Sequence, residues 1–174
     1  MRGLPFLIFP LLFPLLIACA ATTPSAPKPA VQTEWSVAVM AFDDHSIGLS
    51  RTKTQGLGQM LADKFSEGLL GQANLRLIDR DSLQKVLEEL SLGSSDLTDP
   101  ESRLRLGKLL GANYFIMGGF TSLGESVRID GRIVSVETGV VQGKSVEGKF
   151  SDWTTLEASL SKQLVDLLMS KVQR

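Results

Sequence analysis

Cysteine is what most narrows the folds open to this chain: there is a single one, Cys19, and it closes an apolar run. A chain without a second cysteine has no internal disulfide to lean on, so its stability has to come from a packed core. The run before it, Leu4 to Ala18, is apolar throughout but broken by Pro5, Pro10 and Pro14, and one positive charge, Arg2, precedes it. A membrane-spanning helix needs ~20 apolar residues, and each proline removes a backbone donor. The run is too short and too interrupted to span, and it has the layout of a signal peptide.

Leu16-Ile17-Ala18-Cys19 resembles a bacterial lipobox, with small Ala18 before the cysteine and Leu16 three residues ahead of it. That resemblance implies cleavage before Cys19 and its acylation, palmitate included; the alternative is an ordinary secretory peptide cut nearby, with Cys19 incidental. By analogy with lipoprotein sorting in Gram-negative bacteria, Ala20 in place of an Asp after the cysteine implies transfer to the outer membrane. Several acyl chains on one cysteine anchor firmly, because each buried methylene contributes ~0.8 kcal/mol. The expected organisation is therefore a signal peptide over 1–18, a lipidated N-terminus and linker over 19–33, and one domain over 34–174. The linker, rich in Ala, Thr and Pro, reaches at most ~46 Å and as a coil nearer ~21 Å, which keeps the domain close to its membrane.

Eighteen Lys and Arg stand against 19 Asp and Glu, a formal net charge of −1. No basic field exists to attract nucleic acid or anionic lipid headgroups, and nucleic acid is not expected as a partner. The length left after Cys19 fits one domain with a sizeable core.

Trp35 to Phe42 is β-branched and apolar and ends at Asp43-Asp44, which predicts a buried first strand followed by a polar loop to about Lys53. Leu57, Met60, Leu61, Phe65 and Leu69 recur at helical spacing up to Gly71, a C-terminal cap. A short strand over Leu75 to Ile78 follows, then Asp79-Arg80-Asp81, where Asp81 with Gln84 resembles a capping box opening a helix through Leu90. Asp99 with Pro100 opens another helix, which Gly111 ends. From Asn113 onward the pattern changes to three strands of an antiparallel meander, with a phase change at Ile133-Val134 that predicts a bulge and a tight turn at Glu137-Thr138-Gly139. Trp153, Leu156, Leu160, Leu164, Leu167 and Leu168 mark one face of a last helix, with Glu157, Lys162, Asp166 and Lys171 on the other. The expected fold is α/β, a single compact domain on a mixed sheet of about five strands in the order β-α-β-α-α-β-β-β-α, with covering helices.

Chemistry is sparse. His45 is the only histidine, and beside Asp43 and Asp44 it lacks the nucleophile elbow that a serine hydrolase needs. Asp43-Asp44 lacks the further carboxylates of a calcium loop. Gly56-Leu57-Gly58 opens a helix but has neither the third glycine nor the Lys-Ser/Thr of a phosphate cradle, so close backbone packing is the expectation. No catalytic residue, metal or cofactor is expected. Trp35, Asp79, Arg80 and Trp153 are the candidate interface residues, with capping and core packing as equally good explanations of them.

Gly107-Lys108-Leu109-Leu110-Gly111-Ala112-Asn113-Tyr114-Phe115-Ile116-Met117-Gly118-Gly119 is similar to the helix-to-strand signature of the CsgG-like lipoprotein family, the curli production assembly/transport components. Asp79-Arg80-Asp81-Ser82-Leu83 and Val136-Glu137-Thr138-Gly139-Val140-Val141 resemble that family too, and the likeness runs from about Trp35 to Val172. Pore-forming members insert two long amphipathic hairpins, each strand of which needs ~9–11 residues, and the links here leave no room for them. The resemblance therefore implies the periplasmic fold and the lipid anchor without the pore. It implies a non-enzymatic binding or assembly component on the periplasmic face of the outer membrane, with other envelope proteins as partners, self-association as a further option, and no small-molecule substrate. A ring-forming accessory of a secretion channel and an activator of a cell-wall synthase are the alternatives, the latter weakened by the short linker. Sheet edges at Leu75 to Ile78 or Gln142 to Phe150 are the surfaces expected to recruit partners.

Overall fold

The structure, a computed structural model, describes residues 34–47 and 51–172. The expected signal peptide, 1–18, the expected linker, 19–33, and with them the lipobox candidates Leu16, Ile17, Ala18 and Cys19 lie outside the described residues. In chain order the elements are β1 (Trp35–Val39), β2 (Asp43–Asp44), α1 (Arg51–Thr54), α2 (Leu57–Leu69), β3 (Leu75–Leu77), α3 (Arg80–Leu90), α4 (Pro100–Leu110), β4 (Tyr114–Leu123), β5 (Ser126–Ser135), β6 (Val141–Lys149) and α5 (Trp153–Val172). They build one mixed sheet in the order β3-β1-β4-β5-β6, with β2 also paired to β4. β1 lies parallel to β3 and β4, and β4 to β6 form the expected antiparallel meander. The architecture is the α/β order expected, with six strands where about five were foreseen.

Helices cover both faces of the sheet. On one side Leu61 and Phe65 of α2 and Leu160, Leu164 and Leu168 of α5 pack on Val37, Val39, Ile116, Ile129 and Ile133. On the other, Leu83 of α3 and Leu106 of α4 meet Ala38, Met40, Phe115, Met117, Val134 and Val136. This double burial is why β4 reads as an unbroken apolar run, as strands covered on both faces do.

The extra strand comes from a bulge. Val39 pairs with Ile116 and Asp43 with Gly119, so four residues advance on one strand against three on the other. Asp43 and Asp44, expected to end the first strand, instead continue it as β2. The slip also changes which residues face α2: Val37 and Val39 do so before it, and Phe42 after it. Phe42 there stacks on Phe65, ring centroids 5.1 Å apart and planes 1° off parallel. Gly58 makes room for the bulge, since a Cβ on it would lie 1.9 Å from the Phe42 carbonyl oxygen. The packing role expected for the Gly56-Leu57-Gly58 turn is what is found.

The bulge foreseen at Ile133-Val134 is absent. Register runs unbroken through Ile116 with Ile133 and Phe115 with Val134, and the two neighbours are both buried because each face has its own helices. The cap of α3 is likewise corrected: Asp79, not Asp81, accepts from the Ser82 backbone N–H at 2.9 Å and its hydroxyl at 3.0 Å, while Gln84 reaches forward to Glu88. Asp99 caps α4 with Pro100 behind it, and Gly71 and Gly111 adopt left-handed conformations after α2 and α4, as their types predict. Glu157, expected on the solvent face of α5, is only 7% exposed. A helix that crosses a sheet while also packing beside α2 buries a wider face than one apolar stripe indicates.

The two links that matter for the pore are short. Leu123 pairs with Ser126 across a Gly124-Glu125 turn with Gly124 at φ 61°, and β6 passes through a single 3₁₀ turn, Phe150–Asp152, into α5. Neither holds a strand of membrane length.

Candidate functional site

The sheet ends on one side at β3 and on the other at β6. β3 has three residues, and its Arg76 is engaged, donating to Ser36 Oγ at 2.8 Å and lying 3.8 Å from the Glu34 carboxylate. β6 has nine residues, and nothing among the described residues pairs with its outer edge. The Ser135 N–H donates to the Val140 carbonyl and the Phe150 N–H to that of Glu125, which sets the alternation along the ladder. Antiparallel bonding then turns the backbone groups of Gln142, Lys144, Val146 and Gly148 toward β5 and those of Val141, Gly143, Ser145, Glu147 and Lys149 outward. The outward row has short or charged side chains, so its N–H and C=O groups stay accessible.

At the N-terminal end of β6 opens a cleft of about 360 Å³, lined by Trp35, Leu104, Tyr114, Ile133, Val140, Gln142 and Lys171 among others. Trp35 and Tyr114 stand 5.7 Å apart there, tilted by 48°. Burial pushes the Tyr114 phenol above its usual range. Gln142 Oε1 is buried in this region and accepts no hydrogen bond from the described residues.

The four sequence-level candidates do not converge. Trp35 stands at the cleft, half-buried. Asp79 caps α3, and the Ser82 backbone and hydroxyl bonds hold its carboxyl below the usual range. Arg80 bridges α3 to α2 through Asp63 at 2.6 Å. Trp153 belongs to the core: 7% exposed, it meets Phe120 edge-on at 5.2 Å and Phe150 at 5.6 Å, so it offers no surface to a partner. Trp35 and Asp79 sit at opposite ends of β3, because Trp35 pairs with Leu75 and the Ile78 N–H bonds to Val37.

His45 lies over Gly119, where a Cβ would come within 2.9 Å of its ring. Asp44 is opposed by burial but held below its usual range by Ser46 and Thr54. Among the described residues no three His, Cys, Asp or Glu side chains are placed to share a metal ion, and no helix is long and apolar enough to cross a membrane. Sequence reasoning missed the cleft and the burial of Glu157. Burial raises the Glu157 carboxyl above its usual range, opposed by Lys64 and by the nearby Trp153 indole, whose N–H finds no partner of hydrogen-bonding geometry.

Solved structures share this fold. The LpoB C-terminal domain from Salmonella enterica is similar with a TM-score of 0.50 at 14% identity, covering 70% of this chain and 87% of that one. The NMR structure of E. coli LpoB gives 0.50 at 14%, covering 86% and 83%. The PelC dodecamer from Paraburkholderia phytofirmans gives 0.41 at 17%, covering 76% and 88%. For the two LpoB structures, at 14% identity, the likeness is one of fold. No curated protein matches the chain in sequence. The profile described as curli production assembly/transport component CsgG matches residues 20–145, well over half of the chain, and with the helix-to-strand signature and the meander in place the chain belongs to the CsgG family.

Proposed function

We propose that this protein is an outer-membrane lipoprotein, anchored through Cys19 and facing the periplasm, that works without catalysis by binding other envelope proteins during secretion or surface-appendage assembly. The observation that supports it best is the long edge of β6, unpaired among the described residues, whose outward backbone groups are a template for an added strand. A strand joining there gains main-chain hydrogen bonds without disturbing the core.

Two experiments test the two halves of this reading. Palmitate labelling and membrane fractionation should place the wild type in the outer membrane, and Cys19→Ser should lose both label and location; a labelled serine variant would refute the anchor. For the edge, Ser145→Pro removes an outward N–H and leaves the β5 ladder intact, whereas Lys144→Pro removes one that bonds inward. Crosslinking to envelope partners in cells should fall in Ser145→Pro with its melting temperature little changed. Crosslinking that survives Ser145→Pro removes the edge from consideration.

One observation favours a ring-forming accessory as the second reading. The sheet has two unlike edges on opposite sides, β3 and β6, and head-to-tail contact between unlike surfaces is what closes rings.

A further inference from the structure

We infer that the end of the domain around Trp35 is a lipid-docking surface, whose cleft between Trp35, Leu104, Tyr114 and Val140 seats on the headgroup layer of the bilayer that holds Cys19. This rests on the anchor reading above. The cleft is lined by Trp35, the second residue of the described chain, so the segment leading back to Cys19 joins the domain at its rim. Fourteen residues, Ala20 to Thr33, separate Cys19 from Glu34, and a chain of that length reaches at most ~46 Å, so the bilayer that holds Cys19 lies within reach of this end of the domain.

The chemistry of the rim fits a bilayer surface. Val140 and Val141 are 56% and 54% exposed and adjacent on the turn into β6, and Leu104 is 37% exposed beside them. Trp35 and Tyr114 pair an apolar ring with a polar tip, the residue type that settles at headgroup level. Lys171 lines the cleft and Lys108 lies one turn on from Leu104 along α4; neither forms an ion pair among the described residues. Glu137 and Thr138, both exposed on the rim, supply acceptors. Cations and acceptors together complement a zwitterionic headgroup, with its phosphate and its ammonium, better than they complement a purely anionic surface.

A second exposed apolar pair, Ile47 and Leu123, each about two-thirds exposed, serves as an internal control. It lies at the other end of β4, whose ten residues from Tyr114 to Leu123 put it ~30 Å away. The inference requires lipid contact at the first end only.

The test uses the full lipidated protein in vesicles of phosphatidylethanolamine and phosphatidylcholine, with and without bromine on the acyl chains. Tryptophan emission in co-sedimented protein should shift to the blue and be quenched by the brominated lipid. That quenching should vanish in Trp35→Phe and weaken in Val140→Asp/Val141→Asp, whose positions are exposed, and in the milder Val140→Ser/Val141→Ser. A reporter at the far end, Leu123→Trp in the Trp35→Phe background, should stay unquenched. Protein left in the supernatant refutes the anchor and the docking together. Co-sedimented protein with Trp35 unquenched overturns the docking alone. So does emission that shifts only on adding a co-purifying envelope protein, or only on raising the protein concentration, which would assign the cleft to a protein segment or to a second copy.

Discussion

Replacing Gly58 by alanine sets two physical effects of opposite sign against each other. In an exposed helix interior alanine is ~1 kcal/mol better than glycine, so local propensity alone raises stability. Gly58, however, is the second residue of α2, and a Cβ there would lie 1.9 Å from the Phe42 carbonyl oxygen, a contact that real Cβ atoms do not make. Either the helix or the bulge has to retreat by ~1 Å or more, and overpacking of this kind costs ~1–3 kcal/mol. Retreat also lengthens the bond from the Phe42 N–H to the Gly58 carbonyl, now 3.1 Å, for about another 1 kcal/mol, and disturbs the stacked Phe42–Phe65 pair. After the propensity gain is subtracted the net loss is ~1–3 kcal/mol, a fall in melting temperature of roughly 2–12 °C at ~2–4 °C per kcal/mol. Thermal unfolding followed by far-UV circular dichroism reads it. A melting temperature that rises, as for an exposed helical glycine, would refute the bulge and its contact with α2.

Other substitutions follow from the same geometry. Phe65→Ala, at a fully buried ring, should cost ~3–5 kcal/mol in denaturant unfolding. Gly139→Ala should destabilise, since φ is 70° and the new methyl meets the Arg103 guanidinium; an unchanged midpoint would place that guanidinium elsewhere. Glu157→Gln should raise the melting temperature near neutral pH. The folded state holds this carboxyl above its usual range, so its favourable contribution is present in acid and lost as pH rises through the raised value; the gain from glutamine should shrink toward zero as the pH is lowered. Asp79→Ala behaves oppositely. The Asp79 carboxyl is held low, so its stabilisation is present above the ordinary carboxylate range and disappears as pH falls through the depressed value, and the variant should approach the wild type only in acid.

The start of α4 and the ends of α2 and α4 were legible because their signals are local. The Asp99 carboxylate accepts from the Ser102 N–H and the Gly111 N–H donates to the Lys108 carbonyl, each within its own helix, and Gly71 takes the left-handed turn after α2 whatever the rest of the chain does. The bulge between Val39 and Asp43 was not legible: one extra residue in an all-apolar run leaves no change of period, and only the partner strand reveals it. Ile133-Val134 misled in the opposite sense, since consecutive apolar residues suggest a bulge only if one face of the strand is wet, and here both are covered. Trp35 and Trp153 look alike in sequence, but one starts the edge of a cleft and the other is enclosed by Phe120 and Phe150. The free β6 edge could be foreseen from its polar, glycine-containing run. The cleft could not, because residues 35, 104, 114, 140 and 171 meet only once the sheet and its two layers are assembled.

The native mass of the full protein, extracted gently in detergent and compared with Ser145→Pro, bears most directly on the claim that it acts by contact through β6. The wild type should run as a species heavier than one chain in its micelle, either a closed multiple of itself or a complex with an envelope protein, and the proline variant should run as the single chain. A wild type that is strictly monomeric and without a partner, or a variant that keeps the wild-type mass, contradicts assembly through this edge.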